Sequence, residues 1–132
     1  MRFKEDCPSS AEMVPCLVDM LAGWGHSSAH FVGHSFGTVV IAWVARLAPQ
    51  ILSMATFIDP VCFLLIKPDV CYNFVYRRAQ TPTQLLLSYF GAKELYIAHS
   101  LARHFFWFEN VLWPEQLAKP SLVVLSGRDS TG

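Results

Sequence analysis

A chain of 132 residues is long enough to bury one real core, and with 53% hydrophobic residues and a mean hydropathy of +0.35 it is more apolar than an ordinary soluble domain. Ten lysines and arginines balance ten aspartates and glutamates. The zero formal charge excludes a basic nucleic-acid footprint and an electrostatic attachment to anionic membranes, so a small neutral or apolar partner fits better. The opening residues Met1-Arg2-Phe3-Lys4-Glu5-Asp6 are charged and no apolar run follows them, which gives the expectation of a cytoplasmic protein unless an upstream segment of a longer protein carries a targeting or membrane segment. The apolar stretches 39–48 and 51–66 are broken by Arg46, Pro49, Asp59 and Pro60, so no membrane span is expected. Cys7, Cys16, Cys62 and Cys71 form no C-x-x-C pair and have no histidine at zinc-finger spacing; buried free thiols are the expectation.

In chain order, Met13, Leu17, Val18, Met20 and Leu21 recur at helical spacing between Ser9 and Trp24. Ser9 or Ser10 caps that helix, Glu12 lies in its first turn, and Gly23 and Gly25 end it. Pro15 falls inside the pattern, near enough to the start that it tightens or kinks the first turn rather than breaking the helix. Asp19 reads as a solvated surface residue. The short apolar run Ala29-His30-Phe31-Val32 then reads as a strand. His26, His30 and His34 are four apart, but the glycines break the helix before His26 and His30 belongs to the strand, so no metal site is expected.

Directly after the strand comes Gly33-His34-Ser35-Phe36-Gly37, and directly after that a helix marked by Val39, Val40, Trp43, Val44 and Leu47 and closed by Pro49. A serine between two glycines at a strand-to-helix junction suits a very tight turn, in which the serine takes a strained backbone and its neighbours must be small. Ser35 Oγ would stand at the helix N-terminus, where the Phe36 amide points at an oxyanion forming on an attacked carbonyl. His34 is expected to pack beside the pocket rather than act as base. These five residues with their flanks resemble the nucleophile elbow of the α/β-hydrolase superfamily, which implies a parallel sheet flanked by helices, a helical lid insertion and Ser35 as nucleophile.

Ser53-Met54-Ala55-Thr56-Phe57-Ile58 reads as a second buried strand parallel to the first, ended by Asp59-Pro60. Asp59 could be the acid that orients a catalytic histidine, as in some relatives, or could cap the turn before the next helix; the cap is the preferred reading. Residues 61–119 carry most of the aromatic content without strand alternation. Thr81-Pro82-Thr83-Gln84 resembles a capping box leading a helix over Leu85 to Phe90, and a second helix is expected from about Lys93 to His104. In the resemblance this is the lid that sets substrate choice. His104, within Arg103-His104-Phe105-Phe106-Trp107, reads as part of a helix end packed on the core rather than as a base.

Lys119-Pro120 ends that insertion, and Ser121 to Ser126 reads as a buried strand followed by Gly127-Arg128-Asp129. In the superfamily the strand after the lid commonly ends in such a glycine, any residue, aspartate, and the resemblance assigns Asp129 as the orienting acid, in preference to Asp59. The resemblance therefore implies one partial α/β-hydrolase domain: residues 1–60 with the helix, nucleophile strand, elbow, helix and next strand; 61–119 as lid; 120–132 as acid strand. The strands that precede the elbow in the family have no counterpart, and no histidine stands at the matching position for the triad base. The implied activity is hydrolysis of an ester or other acyl bond of a small, largely apolar substrate, without metal or cofactor and impaired in this chain; a non-catalytic interaction module is the alternative. An exposed sheet edge is expected to favour self-association.

Overall fold

The computed structural model describes residues 8–67 and 106–127, and within them the chain is of the α/β class. Helix α1 (Ser10–Gly23) leads to strand β1 (Ala29–His34), helix α2 (Gly37–Leu47), a 3-10 turn (Pro49–Ile51) and strand β2 (Leu52–Ile58). After the segment outside the described residues come a short helix α3 (Trp107–Asn110), a 3-10 turn (Pro114–Gln116) and strand β3 (Ser121–Val124). The three strands form one parallel sheet in the order β1-β2-β3, with Gly33 beside Phe57, His34 beside Ile58, and Phe57 beside Val123. The helices expected over 85–90 and 93–104 lie outside the described residues.

Both ends of α1 follow from the residues that define them. At its start the Glu12 carboxylate accepts from the Ser9 amide at 3.1 Å and from its hydroxyl at 3.2 Å, which satisfies a donor that the helix itself cannot. At its end Gly25 takes φ +77°, and the His26 amide reaches back to the Leu21 carbonyl at 2.9 Å. Pro15 stays within the helix, as its early position allows.

The core lies between α2 and one face of the sheet. Gly33 faces α2, because a Cβ built on it would fall 2.9 Å from Ile41 Cδ1. Its partner Phe57, and Ala55 two residues earlier, share that face by strand alternation and are fully buried. Seven of the eleven residues of α2 are buried, so this helix is enclosed on most of its circumference; α1 packs along it through Val14 and Leu21. Leu112 donates to the Cys62 carbonyl at 3.0 Å, joining the segments that flank the middle of the chain.

The opposite face is open. Val32 on β1 and Leu122 and Val124 on β3 are 62%, 49% and 41% exposed, and all four residues of β3 are exposed. The expectation of a buried last strand is therefore corrected: an apolar sequence equips β3 for burial, but it is an edge strand of the described sheet and no described element lies over it. Cysteine burial is also corrected in part. Cys62 is buried, whereas Cys16 is exposed on α1; both are free thiols.

Among the described residues no helix is long and apolar enough to cross a membrane. No group of three or more metal-ligating side chains occurs among them.

Candidate active site

Ser35 has φ +51°, the left-handed region that costs a non-glycine residue about 1–2 kcal/mol. Tertiary contacts hold it there. Its amide donates to the Ile58 carbonyl at 2.9 Å, extending the β1–β2 ladder by one residue, while its carbonyl already receives the Thr38 amide at 3.0 Å in the first turn of α2. One residue thus finishes a strand and starts a helix, which is the geometry the glycine-flanked serine led us to expect.

The two flanking glycines are not equivalent. A Cβ on Gly33 would lie 2.7 Å from the Gly37 carbonyl oxygen and 2.8 Å from the Gly37 carbonyl carbon. Strand and helix pass so closely that only glycine fits at 33. A Cβ on Gly37 would meet nothing within 4 Å, so the expectation that both neighbours must be small holds for Gly33 alone. Gly37 contributes its backbone to the crossing and needs no space of its own.

Thr38 is a residue that sequence reasoning missed. Fully buried, its hydroxyl donates to the Ser35 carbonyl at 2.5 Å and accepts from the Val61 amide at 3.3 Å. It ties the elbow to the loop that leaves β2. The signal was a threonine in the first turn of an otherwise apolar helix, where a buried hydroxyl must find partners.

Asp59 is the second residue with a left-handed backbone, at φ +45°. It follows Ile58 as Ser35 follows His34, and those two are register partners, so neighbouring strands break at the same level. The Asp59 amide donates to the Val124 carbonyl at 2.9 Å, and its Oδ1 accepts from the Ser126 amide at 2.6 Å. Hydrogen bonds from the Ser126 amide and side chain, with a smaller contribution from His34, hold its carboxyl below the ordinary carboxylate range. The preferred reading of Asp59 as cap of the next local turn is accordingly corrected: its carboxylate bonds a residue 67 positions away, on the chain leaving β3.

Among the described residues no pocket encloses His34, which was expected to pack beside one. Its side chain is 68% exposed, and Nε2 lies 3.8 Å from Asp59 Oδ2. The alternation of β1 puts it on the open face of the sheet, which a view of the elbow as an isolated turn does not reveal. His30 shares that face and hydrogen-bonds the Thr56 hydroxyl at 2.8 Å. Asp129 and His104 lie outside the described residues, as does most of the expected lid. Phe36 is the N-cap of α2.

Elsewhere, α2 is fastened to α3 by the Trp43 indole N–H, which donates to Asn110 Oδ1 at 2.8 Å, and by Arg46, which donates to the Glu109 carbonyl. Asn110 Nδ2 in turn donates to the Phe106 carbonyl at 2.7 Å. Comparison with known proteins finds no matching family model and no matching curated protein.

Proposed function

We propose that the chain is a hydrolase-like protein of the α/β-hydrolase type, with Ser35 as nucleophile toward an ester or other acyl bond of a small, largely apolar substrate. The observation that carries this reading is the backbone of Ser35, left-handed between a parallel strand and a buried helix, with Gly33 in contact with the first residue of that helix. Strain of this kind persists only where the surroundings enforce it, and it collects at functional sites. The parallel sheet with flanking helices is of the general α/β class that this reading needs.

In this reading Ser35 Oγ attacks the carbonyl carbon while an imidazole takes its proton, and the Phe36 amide shares the charge on the tetrahedral oxygen. Asp129 orients that imidazole. The resemblance implies a lid drawn from residues 61–119, whose aromatic content suits an apolar acyl or alcohol portion. The exposed Val32, Leu122 and Val124 support self-association through the sheet, which sedimentation velocity over a concentration series tests.

A second reading, a non-catalytic interaction module, is favoured by one observation: the ring nitrogens of His30 and His34 are directed to Thr56 and Asp59. Covalent labelling by a fluorophosphonate probe separates the two. Modification mapped to Ser35 and abolished in Ser35→Ala supports the hydrolase reading; an unmodified Ser35 in the folded protein leaves the interaction module.

A further inference from the structure

The direction of the Ser35 side chain follows from the two peptide planes on either side of its left-handed backbone. The first is fixed by the sheet, because the Ser35 amide donates to the Ile58 carbonyl at 2.9 Å. The second carries the Ser35 carbonyl, which receives both the Thr38 amide at 3.0 Å and the Thr38 hydroxyl at 2.5 Å. A helical threonine commonly turns its hydroxyl back to a carbonyl of the preceding turn, and that alone would carry no meaning. Here the same oxygen also accepts from the Val61 amide at 3.3 Å. The loop at Val61 is itself anchored: Cys62 beside it is fully buried, and the Cys62 carbonyl accepts at 3.0 Å from the amide of buried Leu112. The Thr38 hydroxyl is thus clamped between the elbow and a fixed loop, at a fully buried position where an unmade bond is costly. Because a peptide unit is planar, whatever orients the Ser35 carbonyl also orients the N–H at the other end of the unit, which belongs to Phe36.

We propose that Thr38 is a positioning residue for the Ser35 site: its hydroxyl, held between the Ser35 carbonyl and the Val61 amide, fixes the Ser35–Phe36 peptide, and with it the direction of the Ser35 side chain and the aim of the Phe36 N–H. This rests on the reading of Ser35 as a nucleophile whose oxyanion the Phe36 amide shares. Thr38 acts through the peptide and not on the reacting atoms. The role requires a hydroxyl at residue 38, since one group must donate to a carbonyl and accept from an amide at once, which a methyl group cannot do. Without it the tie to the loop after β2 is lost, and only the bonds along the ladder and the helix oppose relaxation of the strained Ser35 backbone.

The test is the rate at which a fluorophosphonate modifies Ser35 in the intact chain, followed over a series of probe concentrations and with each variant's thermal midpoint, so that rates refer to folded protein. Thr38→Val keeps the shape and removes the hydroxyl. Its maximal labelling rate is expected to fall about ten- to a hundredfold, the scale on which small misplacements of reacting groups act, with the half-saturating probe concentration little changed. Thr38→Ser restores the hydroxyl and is expected to recover most of that loss. Thr38→Ala removes the hydroxyl with less steric demand and takes the place of Thr38→Val should that variant not fold. Trp43→Phe is the control: it breaks the bond to Asn110 further along the same helix, lowers the midpoint, and is expected to leave the labelling rate of folded protein at the wild-type value. A lower midpoint with an unchanged labelling rate in Thr38→Val would make Thr38 a purely structural residue and overturn the proposal. So would a Thr38→Ser rate as low as that of Thr38→Val, or a Trp43→Phe rate lowered as far, which would tie reactivity to stability at large. A folded wild-type chain that is not labelled refutes the nucleophile reading itself; a labelled wild type matched by Thr38→Val refutes the positioning role alone.

Discussion

Replacing Gly33 by alanine tests the close crossing of β1 and α2. The added Cβ would lie 2.7 Å and 2.8 Å from two backbone atoms of Gly37 and 2.9 Å from Ile41 Cδ1, where about 3.5–4.0 Å is the comfortable carbon separation. Ile41 can turn its methyl away, but the Gly37 carbonyl cannot move unless α2 shifts from β1, and α2 is held by seven buried residues. Overpacking of this kind costs about 1–3 kcal/mol. Against it stands a gain of about 0.4–1 kcal/mol from the smaller conformational freedom of alanine in the unfolded chain. The net expectation is a loss of about 1–2 kcal/mol, or roughly 3–10 °C in thermal midpoint for a chain of this size. Gly37→Ala is the control, since nothing lies within 4 Å of its Cβ and alanine is favoured over glycine in a helix by about 1 kcal/mol. Both are compared by thermal and urea unfolding followed by circular dichroism. A Gly33→Ala protein as stable as wild type, or a Gly37→Ala protein damaged more than Gly33→Ala, would refute the assignment of the two glycines.

Thr38→Val keeps the shape and removes the hydroxyl that links the Ser35 carbonyl to the Val61 amide; a loss of about 1–3 kcal/mol in urea unfolding is expected, and a neutral result would show that the bridge contributes nothing. Trp43→Phe leaves Asn110 Oδ1 buried without its indole donor, with a similar expected cost of about 1–3 kcal/mol, and hydrogen exchange should accelerate in α3 ahead of the sheet. Burial pushes the Cys62 thiol from 9.0 up to about 11, so below pH 9 both folded and unfolded states carry the proton, and above it the unfolded state ionises first. Stability is therefore expected to fall between pH 9 and pH 11, a slope that Cys62→Ala should lessen. Under native conditions at pH 8 an alkylating reagent should modify exposed Cys16 and spare Cys62, as peptide mass mapping would show.

The order of local elements was legible in the sequence because each carries its own punctuation. Ser9 and Glu12 open α1 and Gly25 closes it; apolar spacing from Val39 to Leu47 marks α2; Ser53 to Ile58 and Ser121 to Val124 are β-branched and apolar enough to be strands. The turn at Ser35 was legible as a pattern, a serine two residues from a glycine on either side at a strand-to-helix junction, but its left-handed backbone is held by the hydrogen bond to Ile58 across the sheet. Short-range sterics and side-chain periodicity suffice for the helices and strands. What they leave open is which atoms meet across the sheet. That Gly33 and not Gly37 is required depends on the distance between β1 and α2. The exposure of β3 depends on its place at the outside of the sheet, which its apolar residues do not encode. The partner of Asp59 lies 67 residues away at Ser126, and the partners of Thr38 are fixed by where β2 delivers Val61. Sequence determined the elements because those are decided by neighbours along the chain; only the tertiary structure decided which carboxylate, hydroxyl and amide share the end of the sheet, because strand pairing brings together residues between which the sequence pattern carries no signal.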